Sequence, residues 1–279
     1  MLRAYSQLIR LDKPIGSLLL LWPTWWGLWL AYGGVPPFKI GLVFSLGVFL
    51  TRSAGCAIND YADRHFDPLV QRTAGRPLAR GSISPRSALV VSGGFTLAAF
   101  ALACWGLKPQ TLMWSIPAVI ILVTYPYFKR FFPLPQLYLG LAFSFGIPMA
   151  FIESRALLPP LAWLLVIANC FWVVAYDTIY ALLDIADDRK LGLKTSALTF
   201  GKWVMPIIMA CYAGFSGLLV AVGISSHLQW PFFGGLLLAC ALIGHIYRLI
   251  AQQHYFKAFR YNNHVGGLIL VAIAASYWI

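Results

Sequence analysis

Two short segments hold most of the chain's acids, and their spacing suits one kind of chemistry. The first reads Asn59-Asp60-Tyr61-Ala62-Asp63-Arg64-His65-Phe66-Asp67-Pro68. Asn59, Asp63 and Asp67 recur at i, i+4 and i+8, which predicts one helical face with an oxygen ligand on each turn. Like charges at that spacing repel, so the pattern does not stabilise a helix by itself. A hard divalent cation relieves the repulsion, and Mg²⁺ prefers a few carboxylates completed by phosphate oxygens and water. Asp60 points roughly a quarter-turn away and is expected to stand apart. The second segment runs from Asp177 to Asp188. Asp184 and Asp188 are again four apart, and Asp177 and Tyr180 precede them on the same face. If the two segments face each other, five oxygen-bearing side chains converge: Asn59, Asp63, Asp67, Asp184 and Asp188. Two Mg²⁺ ions and one diphosphate would fill that space.

Basic residues adjoin both segments. Arg72, Arg76 and Arg80 follow the first, and Lys194 follows the second. Tyr125-Pro126-Tyr127-Phe128-Lys129-Arg130 closes another apolar run. Guanidinium forks and ammonium groups suit phosphate oxygens. Arg52 is different, because it lies inside an apolar run seven residues before Asn59. An arginine there is functional or tightly paired by default.

The elements that must position these groups are membrane helices. Hydrophobic residues make up 60% of the 279-residue chain and charged residues 11%, against roughly 25% charged in a soluble domain. Mean hydropathy is +0.74. Nine candidate spans are predicted, at 15–32, 38–59, 86–106, 111–128, 136–153, 160–183, 202–223, 231–249 and 263–279, each close to the length that crosses about 30 Å of hydrocarbon. Pro and Gly clusters between them suit short turns. The fold expected is therefore all-α: a polytopic membrane protein of about nine transmembrane helices around a central cavity, forming one transmembrane domain over 1–279. With a cytoplasmic N-terminus, only Lys39, Lys108 and Arg155 of the 21 basic residues fall outside, which fixes the direction. Eight of the nine acids also fall on the inner half, Glu153 being the exception. The positive-inside rule is nearly blind to acids, so their placement needs another cause.

The formal net charge of +12 follows mostly from this topology. It is split among membrane loops with no nucleic-acid module, so no nucleic acid is expected as a partner. The five cysteines, Cys56, Cys104, Cys170, Cys211 and Cys240, lie in apolar runs without CxxC spacing and read as core residues. The N-terminal basic and apolar stretch continues through Trp25, Trp26 and Trp29 with no small-residue cleavage site, so it reads as a retained first helix. A transporter would more naturally place its acids near the bilayer midplane.

With these motifs in view, the chain resembles the UbiA superfamily of intramembrane prenyltransferases. The resemblance rests on RLDKPIGSLLLLWPTWWGLW, AGCAINDYADRHFDPLVQRTAGRPL, YPYFKRFFPLPQ, IPMAF, VAYDTIYALLDIADDRKLGLKTSA and FKAFRYNNHVGG, in this order along the whole chain. The flanking phrases point to the branch that prenylates 4-hydroxybenzoate for ubiquinone; homogentisate or a naphthoate is the alternative acceptor. One departure is DIADD, where a DRDDD-like stretch is expected.

The resemblance implies nine helices around a cavity open to lipid, Mg²⁺ dependence, and a polyprenyl diphosphate donor. Asn59, Asp63, Asp67, Asp184 and Asp188 would hold the metal-diphosphate. Tyr125 and Lys129 match the family's YxxxK element, which contacts the diphosphate, and Arg72 and Arg76 match its loop arginines. In the implied reaction the diphosphate leaves, an allylic cation forms beside aromatic rings, and the ring carbon ortho to the acceptor's hydroxyl is alkylated. Asp184 or Asp177 would orient the phenol or take the ring proton. Arg130 or Arg52 would hold the acceptor's carboxylate. The expected setting is a bacterial inner membrane with the site facing the cytoplasm, and no obligate protein partner.

Overall fold

A computed structural model describes residues 1–279. The chain is entirely helical: α1 (Leu2–Leu8), α2 (Ile15–Tyr32), α3 (Phe38–Ala62), α4 (Pro85–Gly106), α5 (Pro109–Phe128), α6 (Pro135–Ser144), α7 (Gly146–Arg155), α8 (Pro160–Ala181), α9 (Ile185–Leu191), α10 (Ser196–Phe200), α11 (Val204–Ser225), α12 (Trp230–Ala251) and α13 (Tyr255–Ser276). Proline opens α4, α5, α6 and α8, where its missing N–H is not needed. Gly33 and Gly192 end α2 and α9 in the left-handed conformation.

Seven helices are long and apolar enough to cross a membrane: α3, α4, α5, the α6–α7 pair, α8, the stretch 196–225 and α12. The remaining expected spans also contain long helices, α2, which carries no charged residue, and α13, which is more polar. Tryptophans enrich α2, and the first third of α13 carries Lys257, Arg260, Asn262, Asn263 and His264.

Several boundaries differ from the sequence expectation, each for a physical reason. The span expected at 136–153 is two helices meeting at Phe145. Pro148 lies four residues after Ser144, so its ring conflicts with the Ser144 carbonyl and removes one ladder bond. The helix expected from 263 begins at Tyr255, because its first two turns carry a polar face. The continuous helix expected through Asn59, Asp63 and Asp67 stops at Ala62, with Asp63 as its cap and Asp67 in a short 3-10 turn. Pro68 disfavours the helical region for Asp67. The chain still curls at the helical step, because Asp67 N–H donates to the Asp63 carbonyl at 2.8 Å.

The dense side of the bundle centres on α8. Trp172 lies 5.2 Å from Trp26 and 5.7 Å from Phe215, ring centre to ring centre. Three of the indoles and phenols there find partners across helices, whereas the Tyr176 hydroxyl is buried without one. Trp172 Nε1 and Tyr212 Oη both donate to Asn262 Oδ1, at 3.0 and 2.8 Å, and Trp26 Nε1 donates to the Gly266 carbonyl at 3.1 Å. A side chain at Gly266 would come within 2.4 Å of Trp22 and 2.6 Å of Trp172, so only glycine lets α13 approach α2 and α8. The opposite side is looser. Of α5, only Thr111 and Pro126 are buried. Together α4 and α5 wall a cavity on one face and expose apolar side chains such as Leu97, Ile116 and Ile120 on the other.

Candidate active site

The cavity has a volume of about 1490 Å³ and is lined by α2, α3, α4, α5, α6, α7, α8 and α13. All five expected oxygen ligands line it: Asn59, Asp63, Asp67, Asp184 and Asp188. Two similar devices bring them there. In each, a long helix (α3 or α8) ends at the same face of the bundle, and a tight turn leads into a short helical segment carrying the last acid. Arg52, Arg72, Arg76, Tyr125, Lys129, Asp177 and Tyr180 line the same space.

The acids are turned toward cations, one of which, Arg72, bridges the two devices. Lys129 Nζ lies 2.8 Å from Asp63 Oδ2. Arg76 grips both oxygens of Asp67, at 3.0 and 2.8 Å, and reaches Asp60 at 3.2 Å. Arg72 forks onto Asp184, with Nε 2.9 Å from each carboxylate oxygen and Nη2 also on Oδ2, and donates to Tyr180 Oη at 2.6 Å. Its guanidinium also lies 4.5 Å from the Tyr180 ring centre. The loop after α3 is thus fastened to the end of α8 by one arginine. Asp177 and Asp188 belong to no ion pair.

Two expected site residues do not reach the cavity. Arg130 points back, donating from Nη2 to the Ala62 carbonyl at 2.8 Å and lying over the rings of Tyr127 and Phe66. It satisfies the Ala62 carbonyl at the end of α3 and is not part of the cavity lining. Lys194 contributes only its backbone N–H, 2.7 Å from the Lys129 carbonyl, and its side chain is not part of the lining. Arg52 remains of the two arginines expected to hold the acceptor's carboxylate. Asp60 stands apart as expected, fully buried between Arg10 and Arg76.

Sequence reasoning missed the α13 face. Lys257, Arg260, Asn263 and His264 line the cavity. Their spacing of three, three and one places them along one helical face, a signal present in FKAFRYNNH but masked by its low hydropathy.

The donor set fits Mg²⁺. It is all oxygen, four carboxylates and one amide, which suits a hard cation. No three of the acids surround a single point in this arrangement, and Mg²⁺ does not require that when phosphate oxygens complete its shell. Electrostatics agree. Burial first, and Asp184 next to it, push Asp188 from the ordinary 3.8 up to about 6. Burial also raises Asp67, despite Arg76, with Asp63 and Asp60 adding to the effect. For Lys129, burial works against the charge, but the carboxylate of Asp63 outweighs it and holds the ammonium.

A pH dependence follows. Between pH 3.8 and 6 the folded protein binds more protons at Asp188 than the unfolded chain, so this group's contribution to stability falls as pH rises through that window. At pH 7 the ionised site is under repulsion that a metal relieves. Mg²⁺ binding should be about tenfold weaker at pH 5 than at pH 7, from one competing proton. The Mg²⁺-induced rise in Tm should be correspondingly larger at pH 7, and Asp188→Asn should flatten the difference. Equal thermal shifts at both pH values would show that Asp188 does not face the metal.

Comparison with known proteins identifies the family. The sequence profile described as the UbiA prenyltransferase family matches residues 20–266. The chain is 53% identical to 4-hydroxybenzoate octaprenyltransferase of Nitrosomonas eutropha, over 97% of this chain and 95% of that one. It is likewise 53% identical to the protein of that name from Janthinobacterium sp., over 99% and 98%. A UbiA homologue from Aeropyrum pernix in its apo form superposes with a TM-score of 0.83 at 28% identity, covering 93% of this chain and 97% of that one. A UbiA homologue from Archaeoglobus fulgidus bound to GPP and Mg²⁺ shares the fold, with a TM-score of 0.75 at 19% identity over 99% and 100%.

Proposed function

Because the chain belongs to the UbiA prenyltransferase family, we propose that it is a membrane-embedded 4-hydroxybenzoate polyprenyltransferase of ubiquinone biosynthesis. It joins a polyprenyl group from its diphosphate to the ring carbon ortho to the acceptor's hydroxyl. The observation that carries this reading is the convergence of two acid clusters and the three cations paired with them in a single large, largely apolar cavity. The relatives' shared name supports the acceptor and suggests an octaprenyl donor. A nine-span bundle, a cytoplasmic site and a bacterial inner membrane complete the proposal; the distribution of basic residues supports its direction.

Asn59, Asp63, Asp67, Asp184 and Asp188 would hold Mg²⁺. When bound, the metal supplies charge neutralisation for the diphosphate, making it a better leaving group. The protein's own groups do the rest. Lys129, Arg72 and Arg76 exchange their carboxylate partners for phosphate oxygens and orient the donor. Tyr125 lies one helical turn before Lys129 and lines the same wall. As the C–O bond breaks, ring faces such as Phe143 stabilise the allylic cation and exclude water. Arg52 holds the acceptor's carboxylate. Asp177, the lining acid inside α8 that lacks an ion-pair partner, is better placed to take the ring proton than Asp184, which Arg72 already occupies.

The test uses membranes containing the chain, Mg²⁺, labelled 4-hydroxybenzoate and octaprenyl diphosphate. Labelled lipid-extractable product is expected, and EDTA should abolish it. No product from folded protein, with shorter and longer donors also tried, would sink the acceptor assignment.

A further inference from the structure

The cavity lining carries eight Lys and Arg side chains against six Asp. Lys257 and Arg260 of α13 account for that whole excess; without them the lining would be balanced. Neither pairs with a carboxylate. Topology explains why cations lie on this side of the membrane, but not why these two face the cavity. Helix stability does not explain them either. Lys257 sits in the first turn of α13, where the helix dipole disfavours a cation, and that turn contains no acid. By contrast, Arg248 sits in the last turn of α12, where the dipole favours it.

Their neighbours point to an anion with a flat apolar body. Phe259 lies between them in sequence, and its ring centre is 4.6 Å from that of Tyr180, whose hydroxyl accepts from Arg72. Asn263 Oδ1 is taken by Trp22 Nε1 at 2.9 Å, which leaves the amide N–H groups of Asn263 free beside His264. This face of α13 therefore offers cations, amide donors and a neighbouring aromatic pair, and no carboxylate.

We propose that Lys257 and Arg260 form an outer subsite that captures the carboxylate of the aromatic acceptor from the aqueous phase, ahead of its passage to Arg52. This inference rests on the acceptor being an aromatic acid, as proposed above. The diphosphate donor is not the occupant. It already meets Lys129, Arg72 and Arg76, and its prenyl tail brings it from the lipid. The acceptor is a small, water-borne anion that must enter a cavity lined by six carboxylates, and two unpaired cations on its wall draw it in.

The test compares wild type with the Lys257→Gln/Arg260→Gln double variant in the prenyl-transfer assay. The KM for 4-hydroxybenzoate should rise about fivefold, the worth of one screened ion pair at a partly exposed site. The KM for the prenyl diphosphate should move less than twofold. In wild type, the acceptor KM should climb with ionic strength as screening shortens from about 30 Å at 0.01 M to about 3 Å at 1 M, whereas the variant should respond weakly. Lys257→Arg/Arg260→Lys should behave as wild type. An unchanged acceptor KM and salt response, with wild type active, would overturn the subsite alone. A rise confined to the diphosphate KM would also overturn it, by assigning these cations to the donor. Wild-type membranes that turn over no aromatic acid would overturn both readings.

Discussion

Asp63→Asn is expected to lower kcat/KM by on the order of 10²–10³, the cost of removing one group that stabilises charge at a reacting centre. Asp63 lines the cavity, caps α3 and faces Lys129 at 2.8 Å. Asparagine keeps the shape and leaves Lys129 an oxygen to donate to, so only the charge is lost. Removing one partner of a fully buried pair costs roughly 3–5 kcal/mol. This pair is 26% exposed at Lys129 and 11% at Asp63, so about 1–2 kcal/mol is expected, visible as a lower Tm. The two losses can be separated. Adding Lys129→Met to Asp63→Asn removes the unpaired ammonium and should restore most of the stability. It should not restore activity, because it also deletes a cation that would hold the leaving group. Raised Mg²⁺ should recover part of the activity of Asp63→Asn alone. A variant with wild-type kcat/KM would show that the acid cluster is structural, and that the donor's diphosphate binds elsewhere.

The chemistry of this site was legible in the sequence because spacing survived changes in local structure. Asn59, Asp63 and Asp67 reach the cavity although the helix ends at Ala62, since a single turn closed on the Asp63 carbonyl keeps the step of four residues. Asp184 and Asp188 do the same, with a 2.8 Å bond from the Asp188 N–H to the Asp184 carbonyl. What could not be read was direction. Arg130 and Lys129 are adjacent, yet one turns to a helix end and the other to the cavity. Nothing in YPYFKRFF distinguishes them. Long-range pairing was equally hidden. Asp60 is held by Arg10, fifty residues earlier, in the turn after the short helix α1 that hydropathy does not mark. The polar start of α13 was missed because a hydropathy window averages both faces. A helix that borders a wet cavity carries its polar residues on one face only, so the average falls although the helix continues.

The second large effect is expected at Arg52, and it should separate function from stability. Arg52 sits in the wall of the cavity, inside α3. Its Nε is buried without a hydrogen-bond partner, and it joins no ion pair. Its guanidinium lies 5.6 Å from the ring centre of Phe143. Space is kept for it by Gly16, where a side-chain carbon would come within 2.6 Å of Nη2. A cation at membrane depth costs about 2.5–3.5 kcal/mol, and no carboxylate of this chain is in contact with it to offset that. Such a group is retained for a ligand that brings the missing charge, and a benzoate carboxylate matches a guanidinium fork in shape and sign. Arg52→Met should therefore fold with an equal or higher Tm, while the KM for 4-hydroxybenzoate rises at least about thirtyfold, or about 2 kcal/mol, the lower end for losing one partner of a desolvated charge pair. The donor's KM should stay within about twofold. Selectivity should change as well. Wild type should strongly prefer 4-hydroxybenzoate to the neutral 4-hydroxybenzamide, and Arg52→Met should lose most of that preference. Gly16→Ala should shift both values in the same direction by less, since it displaces the guanidinium without removing it. A lower Tm with unchanged acceptor KM would instead make Arg52 a structural cation, and the carboxylate's holder would have to be sought among Lys257, Arg260 and the cations paired with the acids.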